Sequence, residues 1–161
     1  MRGAVPLEFL QIKLPKHRHH AVAFRRDSFI ASFGSDQDFG AEDEYLNWLK
    51  EQCELFPSGF VLVYENGIPI GQLELTLREF EGKKVGYVNL YYLIPEKRGL
   101  GIGQMLHRYA LEFFKQNHMK EYHLRVSPSN EKAMSFYMKN GMKKIRSELE
   151  GKVIRMSGYI E

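Results

Sequence analysis

At 161 residues, 43% apolar and 27% charged, the chain is most simply one domain, residues 1–161, with a core large enough to need no disulfide staples, and its single cysteine, Cys53, cannot form an internal one. No window approaches the roughly 18 consecutive apolar residues of a membrane span, and Glu8 interrupts the N-terminus before a signal-like run develops, so a cytoplasmic protein with no membrane partner is expected. The net charge of +3 favours an anionic ligand without requiring nucleic acid.

Residues 5–14, VPLEFLQIKL, place Val5, Leu7 and Phe9 in a strand that Pro15 closes. A helix is expected over about Lys16 to Phe33, with Val22, Phe29, Ile30 and Phe33 near helical spacing. Lys13, Lys16, Arg18, Arg25 and Arg26 concentrate there and read as a solvated helix face rather than a nucleic-acid patch. His17 and His20 lack the further ligands a metal site would need and read as surface histidines. AEDEYLNWLKEQCELF is a second helix whose Glu42-Asp43-Glu44 opening suits a helix N-terminus.

After Pro57-Ser58-Gly59 the pattern becomes strand-like: FVLVYE and IPIGQLELTL flank Asn66-Gly67, a strong hairpin signal. Leu73, Leu75 and Leu77 alternate with Gln72, Glu74 and Thr76, so one face is apolar and the other polar. VGYVNLYYLI completes a three-strand antiparallel meander. Ile102, Met105, Leu106, Tyr109, Phe113 and Phe114 then mark an amphipathic helix. A short strand, EYHLRV, returns parallel to the preceding one, SPSNEKAMSFYMKNG forms another helix stopped at Gly141, and the chain closes as a hairpin with its turn near Glu150-Gly151. The fold class is α+β: a mixed, mostly antiparallel sheet of about seven strands flanked by about four helices.

The stretch RGLGIGQ joins the third meander strand to its helix. A helix N-terminus leaves backbone N–H groups unpaired, and Gly99, Gly101 and Gly103 clear side chains from their path, so the turn suits a phosphate, with Arg98 as an adjacent cation. The dinucleotide fingerprint fails because Gln104 stands where it needs glycine, and no GK[ST] follows to make a P-loop.

The remaining pattern, Arg98 to Gly103 after a strand ending in Pro95, resembles the pyrophosphate-binding signature of the GNAT superfamily of acyl-CoA-dependent N-acetyltransferases. The likeness continues through Asn130, Ala133, Phe136-Tyr137 and Gly141, and it covers residues of about 85 to 145. It implies a GNAT-like fold and transfer of an acetyl group from acetyl-CoA to a primary amine of a small molecule or protein, without a metal. It implies that N–H groups from Arg98 through Gly99, Leu100, Gly101, Ile102 and Gly103 to Gln104 hold the pyrophosphate. The strand end at Tyr92, Leu93 and Ile94 would bond the pantetheine arm, Asn130 would contact the cofactor, and Tyr137 would protonate the leaving thiolate. Small enzymes of this resemblance are often homodimers.

Glu74 is the candidate base, orienting a water or taking the amine proton, with Glu8 and Tyr91 as alternatives. On the residues alone Tyr137 would read as a core tyrosine and Asn130 as a helix cap. A non-catalytic acyl-CoA-binding module would keep the phosphate site, and Tyr137 is the feature that favours turnover.

Overall fold

The structure is a computed structural model describing residues 6–161, so Val5 of the expected first strand lies outside the described residues. Strand β1 (Leu7–Gln11) is followed by helices α1 (Arg18–Phe33) and α2 (Glu42–Leu55) and by strands β2 (Phe60–Glu65), β3 (Ile68–Phe80) and β4 (Lys83–Leu93). Helix α3 (Ile102–Gln116), strand β5 (Glu121–Val126), helix α4 (Glu131–Lys139) and strands β6 (Lys143–Glu148) and β7 (Val153–Tyr159) complete the order expected from the sequence. The strands form one sheet, β1-β2-β3-β4-β5-β7-β6, in which only β4 and β5 run parallel.

Two turns set the register of the meander. Asn66 and Gly67 both adopt positive φ, as do Glu81 and Gly82, and a tight turn with two such residues matches the twist of the strands it joins. One layer against the sheet is apolar: Val61, Val63, Leu73, Leu75 and Val88 pack with Leu106, Ala110, Phe113 and Phe114 of α3. Full burial of each large side chain there contributes about 1.5–3 kcal/mol. The close approach of α3 to β4 depends on Gly86, because a Cβ at that position would lie 2.5 Å from the Phe114 ring. Gly86→Ala is therefore expected to destabilise the fold by about 1–3 kcal/mol, read as a lowered urea midpoint; an unchanged midpoint would mean that α3 can shift freely.

The opposite layer corrects three sequence-based expectations. Gln72, Glu74 and Thr76 do not face solvent: they are 0%, 0% and 4% exposed, the first two bonded to Arg25 of α1 or Tyr45 of α2. Alternation in β3 identified two faces, but it could not say that helices would cover both. His17 is buried rather than superficial, and its Nδ1 accepts the Lys13 backbone N–H at 2.9 Å; burial lowers its pKa, as do Lys16, His20 and Lys13 nearby. Of the apolar residues expected along α1, Val22 is buried whereas Ile30 and Phe33 are exposed. Phe33 instead edges a cavity next to the sheet.

Candidate active site

The parallel pair β4/β5 is short. Gly86, Tyr87 and Val88 pair with Tyr122, His123 and Leu124, after which β4 continues to Leu93 with no partner on that edge. A cavity of about 150 Å³ opens where the strands part. Its walls come from α1 (Arg25, Ser28, Phe29), from β4 (Asn89, Tyr91), from β5 and the turn after it (Arg125, Ser127), and from α4 (Asn130, Ala133, Tyr137).

The free edge of β4 can be assigned group by group. The Ile94 N–H donates to the Ile70 carbonyl at 2.8 Å. Antiparallel ladders alternate, so Tyr92 also turns its backbone toward β3, while Leu93 and Tyr91 turn theirs toward the opening. The sequence pointed to the strand end from Tyr92 to Ile94 as a source of main-chain hydrogen bonds; of these residues, only Leu93 presents backbone to the opening. Its carbonyl is already taken by Arg98 Nε at 2.8 Å, which leaves its N–H.

Beyond Leu93 the chain makes a short turn at Pro95–Lys97 and reaches the glycines. Gly99 and Gly101 have φ of 76° and 86°, values that cost any residue with a Cβ. Gly103 instead lets α4 approach: its Cβ position lies 3.7 Å from Phe136. The expected array of N–H donors is narrower than Arg98 to Gln104. Arg98 N–H bonds to Pro95 O and Gln104 N–H to Gly101 O, whereas among the described residues Gly99, Leu100, Gly101, Ile102 and Gly103 have no acceptor for theirs. The Arg98 side chain is also not a cation held beside the glycines. It folds back, with one nitrogen 3.2 Å from Asp27 and its guanidinium over the Tyr92 ring, so the loop is pinned to α1 and β4. The Gln104 side chain donates to Asn140 Oδ1 at 2.7 Å, fixing the start of α3 to the end of α4.

At the inner end of the opening stands Tyr137, half-buried, its ring 6.3 Å from that of Tyr91. Burial pushes its hydroxyl up to about 12. Asn130 caps α4, its Oδ1 accepting Ala133 N–H at 3.3 Å, and also lines the cavity. Tyr91 hydrogen-bonds His107 Nδ1 at 3.1 Å, while Tyr122 lies 3.4 Å from the other ring nitrogen. This buried histidine fell on the apolar stripe of α3 and was missed, having no partner visible in the sequence.

Glu74 occupies a different setting from the solvated strand face expected for it. Its carboxylate pairs with Arg25, accepts Tyr45 O–H at 2.5 Å and accepts Gln72 Nε2 at 2.8 Å. Burial and the adjacent carboxylate raise the Tyr45 hydroxyl well above its ordinary range. The Glu74 carboxylate is engaged by a guanidinium and two further donors, and Arg25 rather than Glu74 lines the cavity. Glu8, the other carboxylate considered, is exposed on β1 at the far sheet edge, three strands from β4.

Residues 19–142 match the Acetyltransferase (GNAT) family. The chain belongs to the GNAT family. An uncharacterized N-acetyltransferase of Methanocaldococcus jannaschii is 29% identical over 100 residues, covering 60% of this chain and 43% of that relative. The matched segments span less than half the length of the curated relatives. Among solved structures, the PaiA N-acetyltransferase of Thermoplasma acidophilum in complex with coenzyme A superimposes with a TM-score of 0.70 at 20% identity, covering 96% of this chain and 99% of that one. Arabidopsis thaliana Naa50 with the bisubstrate analogue CoA-Ac-MVNAL gives 0.69 at 20% identity, covering 94% and 97%.

Besides His107, sequence reasoning about this GNAT chain did not place two cations, Arg25 and Arg125, at the cavity. Arg25 was placed on a solvated face, yet it lies under Phe29, Tyr45 and Trp48 with its charge met by Glu74. No local signal marked the pairing, because alternation in β3 does not reveal that the Glu74 face is covered. Arg125 on the opposite wall shares Glu148 with Arg146 and Arg155. Burial tends to raise the Glu148 carboxyl, but hydrogen bonds from Arg155, Arg146 and Arg125 outweigh it and hold the group at about 2, against an ordinary 4.5. A lowered folded-state pKa means stability present above about pH 4.5 and lost as pH falls toward 2. Glu148→Gln is expected to flatten acid unfolding in that window, as followed by circular dichroism.

Proposed function

We propose that this chain transfers an acetyl group from acetyl-CoA to a primary amine by direct attack in a ternary complex. The observation that carries the reading is continuity: the acceptor-free N–H groups of Gly99 to Gly103 lead along the open edge of β4 to a cavity ending at Tyr137. A pyrophosphate matches the first segment, because α3 begins there and its N-terminus attracts anions. Leu100 and Ile102 contribute backbone only, and Arg98 and Gln104 hold the turn rather than the ligand. The coenzyme A bound in the PaiA structure supports the same donor.

The pantetheine arm would lie along β4, in contact with Asn130, with the Leu93 N–H directed at the thioester oxygen. A donor aimed at the developing oxyanion stabilises the tetrahedral intermediate more than the ground state. The amine nitrogen attacks the carbonyl carbon, the C–S bond breaks, and Tyr137 O–H protonates the departing sulfur. Its raised pKa keeps the proton in place at neutral pH until a thiolate develops. The proton lost by the amine nitrogen balances the one delivered to sulfur. Because Glu74 is bound to Arg25, Tyr45 and Gln72, the amine proton leaves through water. Glu74→Gln should accordingly leave the shape of the pH-rate profile unchanged, and loss of an ionisation from that profile would restore Glu74 as the base.

The direct experiment follows free-thiol release from acetyl-CoA across a panel of amines. Amine-dependent release with the acetyl group recovered on nitrogen is the expected result. Saturable CoA binding without amine-dependent release would make the chain a binding module instead.

A further inference from the structure

Resting on the acetyltransferase reading, we infer that the acceptor is a small amine carrying a carboxylate beside the reacting nitrogen, an amino-acid-like substrate, and that Arg25 and Arg125 recognise that carboxylate. The cavity wall contains these two guanidiniums and no carboxylate. Arg25 directs one nitrogen at Glu74 and has no other hydrogen-bond acceptor among the described residues, so most of its donor edge remains unmatched.

That edge is held in place. Glu74 anchors the guanidinium from below, and the rings of Phe29, Tyr45 and Trp48 lie 5.7, 5.4 and 5.5 Å from its carbon. Its side chain is 20% exposed whereas that of Glu74 is 0% exposed, so the pair presents its positive end to the opening. On the other wall Arg125 donates through Nε to Glu148, which leaves its terminal nitrogens. Glu148 must serve Arg146 and Arg155 as well, so this wall is incompletely neutralised. Between the walls, Asn89 is oriented by Arg78, which donates to its Oδ1 at 2.6 Å.

A carboxylate placed there would receive charge-assisted hydrogen bonds in a partly enclosed site, the setting in which such bonds are strongest. The same cations would lower the pKa of the nearby ammonium and so increase the neutral fraction that attacks. Acceptors bearing a second ammonium, such as polyamines, would meet repulsion.

The test compares amino acids with their carboxamides and with polyamines in the acetyl-CoA assay. A carboxylate-to-carboxamide ratio of kcat/KM of about ten or more is expected, falling toward one in both Arg25→Lys and Arg125→Gln. Arg125 is peripheral to the buried pair, so its variant remains informative if Arg25→Lys folds poorly. Turnover that prefers the carboxamide or a polyamine would overturn the inference while leaving the acetyltransferase reading intact. Absence of amine-dependent thiol release with every acceptor would overturn both.

Discussion

Arg25→Met is expected to destabilise the protein by about 3 kcal/mol, the lower end of the range for removing one partner of a buried ion pair. The lower end applies because the Arg25 side chain keeps 20% of its surface in water, while the stranded Glu74 keeps none. Tyr45 and Gln72 still donate to the carboxylate in this variant, but neither carries a compensating charge. Adding Glu74→Gln should recover most of the loss, since the charge is then gone and the neutral amide can bond Tyr45. Urea unfolding of the single and double variants gives the coupling directly. Additive effects, or a single-variant loss under about 1 kcal/mol, would show that the pair behaves like a surface salt bridge.

Tyr137→Phe is expected to lower kcat by roughly 10²-fold while changing the KM for acetyl-CoA little, as for loss of a general acid acting after the donor is bound. The variant removes one oxygen from a half-buried ring, so packing against Tyr91 and Phe136 survives. The role predicts a dependence on the leaving group. With an aryl thioester whose thiol is more acidic, expulsion needs no proton and the deficit of Tyr137→Phe should shrink. A deficit of equal size with both thioesters would assign Tyr137 to positioning. A general acid whose hydroxyl is raised to about 12 stays protonated until pH approaches that value, so Tyr137 in this role should give no inflection near neutrality.

The proposed donor side of the site was more legible in the sequence than the proposed acceptor side, for physical reasons. A strand, a glycine turn and an amphipathic helix are local patterns, and together they determine where backbone N–H groups lack partners. The element order followed from similar local signals, including the Asn66-Gly67 turn and the Gly141 stop. What a side chain does at long range left no such trace. Arg98 and Asp27 meet across 71 positions and Arg25 and Glu74 across 49, so the sequence reads Arg98 as a phosphate ligand, Arg25 as a solvated charge and Glu74 as a candidate base. Alternation in β3 assigned Glu74 to the correct face, but the burial of that face depends on α1 and α2 packing over it. The cavity walls proposed to meet the acceptor are built from such pairings, which is why their charge became visible only in three dimensions.

The most direct test of the central claim is a crystal structure with coenzyme A bound. Pyrophosphate oxygens are expected within hydrogen-bond reach of the N–H groups of Gly99 to Gly103, with the pantetheine arm along the free edge of β4 and the thiol beside Tyr137. A pyrophosphate bound away from that turn, or a thiol outside the β4/β5 opening, would contradict it.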